Sequence, residues 1–184
     1  SLVRSNNFSV AFFGVGAPRC GTTWLYRCLQ QNAHICMPIP KEVHFFSDFM
    51  PFTTTHSLMG WDWYEKRFAH YQEGQVRGEF SPSYLFDKQA PQRIFDAFPD
   101  AKVIIQLRNP IDAIYSYFLH AQCTFSIEDS FEEFLQKNPS FKEIYKYDEQ
   151  IERYQKIFPA RSIFFIDYED IEKKPESTLQ NVST

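Results

Sequence analysis

The stretch Gly14–Trp24, GVGAPRCGTTW, decides the fold. It has the outline of a phosphate-binding loop, G-x-x-x-x-G-K-[ST], whose lysine reaches the terminal phosphates of a nucleotide. Gly16 and Gly21 stand at the required spacing and Thr23 fills the hydroxyl position, but Thr22 takes the lysine's place. The nearby cation, Arg19, lies inside the loop. Ahead of the loop, FSVAFFGV (Phe8–Val15) is a short apolar run suited to a buried strand. Behind it, Thr22–Gln31 reads as a helix with Leu25, Cys28 and Leu29 on one face.

A glycine turn before an ordinary helix would share some of these features. Strand, turn and helix together, with an arginine and paired threonines, point instead to an anion site built from backbone N–H groups and a helix N-terminus. The missing lysine bears on the chemistry. Transfer of a γ-phosphoryl group draws on lysine and magnesium to neutralise several phosphate oxygens. A sulfuryl group carries less charge and can move without a metal, with one arginine stabilising the departing phosphate.

Outward from the loop, strands alternate with helices. KVIIQLR (Lys102–Arg108) is a second buried strand, followed by Pro110 at a helix start and the helical IDAIYSYFLH. SIFFIDY (Ser162–Tyr168) is a third strand, reached through a helix around Lys142–Phe158. Trp61–Phe68 and Gln89–Phe98 carry helix signals, and VRGEF (Val76–Phe80) is a fourth strand leading into SPSY. This alternation predicts a P-loop NTPase-like, three-layer α/β/α fold around a central, mainly parallel sheet, with residues 1–184 as one domain. Ligands of such sheets sit beyond the carboxyl ends of the strands, which places Arg19, SPSY, Arg108 and Asp167 along one rim.

Composition narrows the class. The 184 residues are 43% hydrophobic and include 20 Phe and 10 Tyr, so the core and cleft walls should be largely aromatic. A net charge of -4 argues against a nucleic-acid surface without excluding a local basic pocket. No apolar run approaches the length of a membrane span, and SLVRSNN does not read as a secretory leader. Cys20, Cys28, Cys36 and Cys123 lack C-x-x-C pairing, and the five histidines lack metal-ligand spacing. A reducing, cytoplasmic setting without structural zinc is expected.

GAPRCGTTWLYRCLQQ, PKEVHFF, GEFSPSYLF and LRNPIDAIYSYFLH, in this order, resemble sulfotransferases that use 3′-phosphoadenosine 5′-phosphosulfate (PAPS). The likeness is to the branch with the heparan sulfate sulfotransferases and bacterial relatives. It covers roughly Phe8–His120, and the tail FFIDYEDIEKKPESTLQNV resembles the family's next strand and helix. The resemblance implies a PAPS donor, no required metal, and an acceptor hydroxyl or amine. Arg19, Cys20, Gly21, Thr22, Thr23 and Trp24 would form the 5′-phosphosulfate loop, with Arg19 as the catalytic basic residue. Arg108 and Ser116 would hold the 3′-phosphate. Glu42 would be the base that deprotonates the acceptor, with His44, which titrates nearest neutrality, as the neighbouring alternative. Asp48 would orient substrate or cap a turn. Phe80, Ser81 and Tyr84 would meet the acceptor.

Two departures qualify the resemblance. The glycosaminoglycan-acting relatives carry a lysine where this chain has Phe80, which favours a small or lipophilic neutral alcohol over a polyanionic sugar. Family members also continue into a further helix and a basic, glycine-containing loop over the nucleotide, so this chain is expected to be C-terminally incomplete. Acceptor choice should rest on loops such as Phe49–Gly60. The competing readings are a small-molecule kinase with Asp167 as magnesium ligand, and a nucleotide-binding fragment without catalysis.

Overall fold

The computed structural model describes residues 4–48 and 59–183; the expected acceptor loop, apart from Met59 and Gly60, lies outside them. In chain order the elements are β1 (Phe12–Gly16), α1 (Thr22–Gln30), β2 (Ile35–Cys36), α2 (Trp61–Glu65), β3 (Val76–Phe80), α3 (Ser83–Phe86) and α4 (Ala90–Ala97). Then come β4 (Lys102–Leu107), α5 (Pro110–Phe125), α6 (Phe131–Lys137), α7 (Tyr147–Ile157), β5 (Ile163–Asp167), α8 (Tyr168–Lys173) and α9 (Pro175–Ser183). The strands form one sheet in the order β2-β3-β1-β4-β5. Every pairing is parallel, and the expected architecture is present.

Strand periodicity divides the core. Along β4, Val103 and Ile105 join one cluster with Ile94 of α4 and Tyr154 of α7, whereas Ile104 faces the other side. That second cluster holds Leu25 and Leu29 of α1, Ile171 of α8, and Leu179 and Val182 of α9 packed against it. Helices therefore cover both faces, as a buried parallel sheet requires. Among the described residues no helix is long and apolar enough to cross a membrane.

Two cross-strand pairs lock β1 to β3. Phe12 stands opposite Gly78, and Gly14 opposite Phe80. A Cβ on Gly14 would lie 2.1 Å from the Phe80 ring, and one on Gly78 would lie 1.9 Å from Phe12. Each ring thus occupies the space its partner glycine leaves open. Phe80 is completely buried.

The element boundaries shift where local bonding overrides pattern. Phe8 and Val10 are buried, but the Phe8 N–H turns back to Ser5, and β1 begins at Phe12. The expected helix around Lys142–Phe158 is divided. Pro139–Tyr145 is a 3-10 segment and α7 starts at Tyr147. The buried Gln150 amide donates to the carbonyls of Glu143 and Ile144, replacing the helical donors they would otherwise have.

Candidate active site

The candidate phosphate loop runs from the end of β1 into α1. Gly16 and Gly21 have φ of 146° and 83°, in the region that favours glycine. Space matters too: a Cβ at Gly16 would meet Leu85 at 2.8 Å and the Pro82 carbonyl at 2.9 Å. The loop floor is tied to β4, because the Ala17 N–H donates to the Gln106 carbonyl at 2.7 Å and the Gln106 amide donates to the Cys20 carbonyl at 3.3 Å. Gln106 Oε1 is buried without a partner.

Arg19 is exposed at the loop apex, and its Nε donates to Ser116 Oγ at 3.1 Å. Ser116 is there because Asn109 caps α5, accepting from the Ile111 and Asp112 N–H groups, while Pro110 starts the helix. Arg108 donates to the Arg19 carbonyl at 3.5 Å, and its guanidinium lies 4.2 Å from the Tyr168 ring centre. Arg19, Arg108 and Ser116 line one cavity of about 480 Å³, with Tyr115, Leu119 and His120 along α5. The structure thus brings three of the sequence candidates together. Sequence reasoning missed Tyr168, which starts α8 directly beside Arg108.

The remaining loop residues divide by burial. Thr23 is exposed and Trp24 half-buried, whereas Thr22 is buried. The Cys20 side chain turns inward: Sγ bonds to the Pro18 carbonyl and lies 3.6 Å from the Tyr147 hydroxyl. Burial pushes its thiol up to about 11, against the pull of Tyr147 and Arg108. The Cys20 side chain thus faces inward, which leaves its backbone to meet an anion.

A second cluster contains Glu42 and His44. Glu42 Oε1 pairs with Lys41 and Oε2 lies 3.5 Å from His44 Nε2. Burial raises the Glu42 pKa, but His44 and Lys41 together outweigh it and hold the carboxyl at about 2. The Glu42 side chain keeps 39% of its surface and His44 only 9%, which makes Glu42 the one that can reach a substrate. His44 Nδ1 shares a 2.7 Å hydrogen bond with Ser83 Oγ. Tyr117, next to Ser116 on α5, feels the charges of both clusters. Its phenol is pushed up by burial and by the Glu42 charge and drawn down by Arg19. Sequence reasoning missed it, although adjacency to Ser116 was a usable signal.

Backbone conformation singles out the same residues. Among the described residues, the non-glycine positions with positive φ are Arg19, Glu42, His44 and Ser126. Three of these four are catalytic candidates from the sequence. Such conformations cost on the order of 1–3 kcal/mol each and cluster at functional sites.

Phe80, Ser81 and Tyr84 are fully buried, so the expectation that they meet an acceptor is corrected. Phe80 fills the space over Gly14, and Ser81 and Tyr84 bond inward to Glu79. Asp48 pairs with Arg93 at 2.6 Å, a tie to α4. Asp167 caps α8, its Oδ1 accepting from the Glu169 N–H at 2.9 Å.

A family model described as the sulfotransferase domain matches residues 11–184. The chain belongs to the sulfotransferase domain family. A crystal structure of a sulfotransferase from Alicyclobacillus acidocaldarius is similar at TM-score 0.86 and 32% identity, covering 95% of this chain and 79% of that one. The Xenopus laevis bifunctional heparan sulfate N-deacetylase/N-sulfotransferase 1 is 24% identical over 184 residues, 91% of this chain but 21% of that protein's length. A mouse sulfotransferase complexed with PAP shares the fold at TM-score 0.63 and 16% identity, covering 95% of this chain and 57% of that one. This sulfotransferase domain therefore spans a small part of the curated relatives it matches.

Proposed function

We propose that this chain transfers a sulfuryl group from PAPS to an acceptor hydroxyl or amine, with Glu42 as general base. The observation that carries the reading is the convergence of Arg19, Arg108 and Ser116 on one cavity at the carboxyl ends of β1 and β4. These groups fit a donor with two separated anionic ends. The 17–23 loop and Arg19 would hold the 5′-phosphosulfate, and Arg108 with Ser116 the 3′-phosphate. When bound, the donor supplies an activated sulfuryl group and a phosphate leaving group.

The chain's own residues then have distinct tasks. Arg19 neutralises charge developing on the departing phosphate oxygen. Glu42, held at about 2, is ionised at any working pH and ready to accept a proton. So weak a base takes the proton late, once the acceptor oxygen has begun to bond to sulfur and its hydrogen has become acidic. His44, buried and bonded to Ser83, orients the carboxylate. The kinase reading has less support, because the Asp167 carboxylate is engaged as a helix cap and the loop has Thr22 in place of lysine. The acceptor stays at the level of a hydroxyl or amine, since the buried Phe80 ring cannot select it.

Thermal-shift titration tests the donor assignment. Adenosine 3′,5′-bisphosphate should bind about ten- to a hundredfold more tightly than 5′-AMP, the scale of one charge-assisted hydrogen bond. Equal binding of the two, or a preference for ATP with magnesium, would overturn it.

A further inference from the structure

Beneath the Glu42–His44 loop lies a carboxylate that no step of the transfer uses. Glu79, at the end of β3, is completely buried. It accepts hydrogen bonds from three hydroxyls carried by three parts of the chain: Tyr64 on α2, Ser81 just after β3 at 2.8 Å, and Tyr84 on α3 at 2.5 Å. An apolar side chain of similar volume would fill the space without the cost of burying a carboxylate. What the carboxylate adds is direction, because it fixes where two of those hydroxyl oxygens can accept.

Both of them accept from the catalytic loop. The His44 N–H donates to Ser81 Oγ at 3.0 Å, and the Phe46 N–H donates to Tyr84 Oη at 3.3 Å. The loop so held contains two non-glycine residues at positive φ, Glu42 at 64° and His44 at 53°. Such backbone persists only where its surroundings over-determine it. From His44 the chain of contacts reaches Glu42, at 3.5 Å between ring and carboxylate.

We propose that Glu79 is a positioning residue for the transfer: acting through the Ser81 and Tyr84 hydroxyls, it sets the backbone of residues 44–46 and thereby the place of the Glu42 carboxylate. The inference deepens the sulfuryl-transfer reading and rests on it. Glu79 touches neither the donor cavity nor the acceptor, so nucleotide affinity is independent of it.

The test compares Glu79→Gln, Ser81→Ala and Tyr154→Phe with the parent. Ser81→Ala removes the link between Glu79 and His44 and leaves both tyrosine bonds to Glu79 in place. Tyr154→Phe removes a different buried hydroxyl bond, to the Tyr84 carbonyl at 2.9 Å, and so reports on general loosening. Ser81→Ala and Glu79→Gln should lower kcat by roughly ten- to a hundredfold, the scale of a misplaced catalytic group, with the bisphosphate Kd within about twofold of the parent. Tyr154→Phe should keep the parent kcat despite a lower melting temperature. If Glu79→Gln does not fold, Ser81→Ala carries the comparison. Parent-like kcat in Ser81→Ala, or a kcat loss in all variants that tracks their melting temperatures, overturns the proposal. If the parent itself transfers no sulfuryl group, the reaction reading fails, and amide hydrogen exchange decides the positioning separately. Faster exchange at the His44 amide in Ser81→Ala, by about tenfold, upholds it, and an unchanged rate overturns it.

Discussion

Replacing Gly14 by alanine should change sign in its effect on stability according to what stands at position 80. In a strand, alanine is intrinsically better than glycine by about 0.5–1 kcal/mol, because the unfolded chain has less freedom to lose. Here the three atoms nearest to a Cβ on Gly14 all belong to the Phe80 ring, at 2.1, 2.1 and 2.6 Å. Relieving that contact means moving a completely buried ring by more than an ångström, an overpacking cost of roughly 1–3 kcal/mol. Gly14→Ala alone should therefore destabilise. Phe80→Ala alone should cost about 3–5 kcal/mol, the range for emptying a buried aromatic site. In the double variant the new methyl enters the vacated space, so Gly14→Ala should now stabilise by a few tenths to about 1 kcal/mol. The intrinsic gain cancels between the two backgrounds, so the coupling energy is the overpacking cost, about 1–3 kcal/mol, read from a urea-unfolding double-mutant cycle. Thermal midpoints should follow at roughly 2–4 °C per kcal/mol for a chain of this length. An equal effect of Gly14→Ala in both backgrounds would refute the pairing.

Other outcomes follow from the site. Ser116→Ala should reduce the preference for adenosine 3′,5′-bisphosphate over 5′-AMP by several-fold, and Arg108→Ala by about tenfold or more, measured by calorimetric titration. The Glu42 carboxyl lies near 2 in the folded chain against an ordinary 4.5, so its contribution is in full force above the unfolded value and is lost as pH falls through about 2. Urea unfolding at about pH 5 and pH 2.5 should show Glu42→Gln approaching the parent's stability at the lower pH. Cys123 is exposed and Cys20 is buried with its thiol pushed up to about 11, so iodoacetamide at mildly alkaline pH should label Cys123 well before Cys20 in mass spectra.

The phosphate loop and its flanking strand and helix were legible because glycine spacing, an apolar run and a helical face are local signals. Arg108 and Ser116 came from the family resemblance; the residues themselves showed the helix start at Pro110 that sets their separation. Phe80, Ser81 and Tyr84 were misread because motif position says nothing of burial: Phe80 fills the space over Gly14, and the Ser81 and Tyr84 hydroxyls turn inward to Glu79. Tyr168 and the Glu79 network were not legible, as neither leaves a pattern in the sequence: Glu79 draws its tyrosine donors from two different helices, α2 and α3, and Tyr168 meets an arginine from another strand end. The two-residue β2 was missed too, being too short to carry a pattern.

The central claim is tested most directly by single-turnover transfer from labelled PAPS to a panel of small hydroxyl and amine acceptors, with the parent and Glu42→Gln side by side. The parent should transfer label at the same rate with and without a metal chelator. Glu42→Gln should be slower by about 10²–10⁴, the usual scale of a lost general base, with unchanged affinity for adenosine 3′,5′-bisphosphate. A Glu42→Gln rate equal to the parent's would contradict the assignment of the base. A parent that binds the bisphosphate yet transfers label to no acceptor would contradict the claim of catalysis itself.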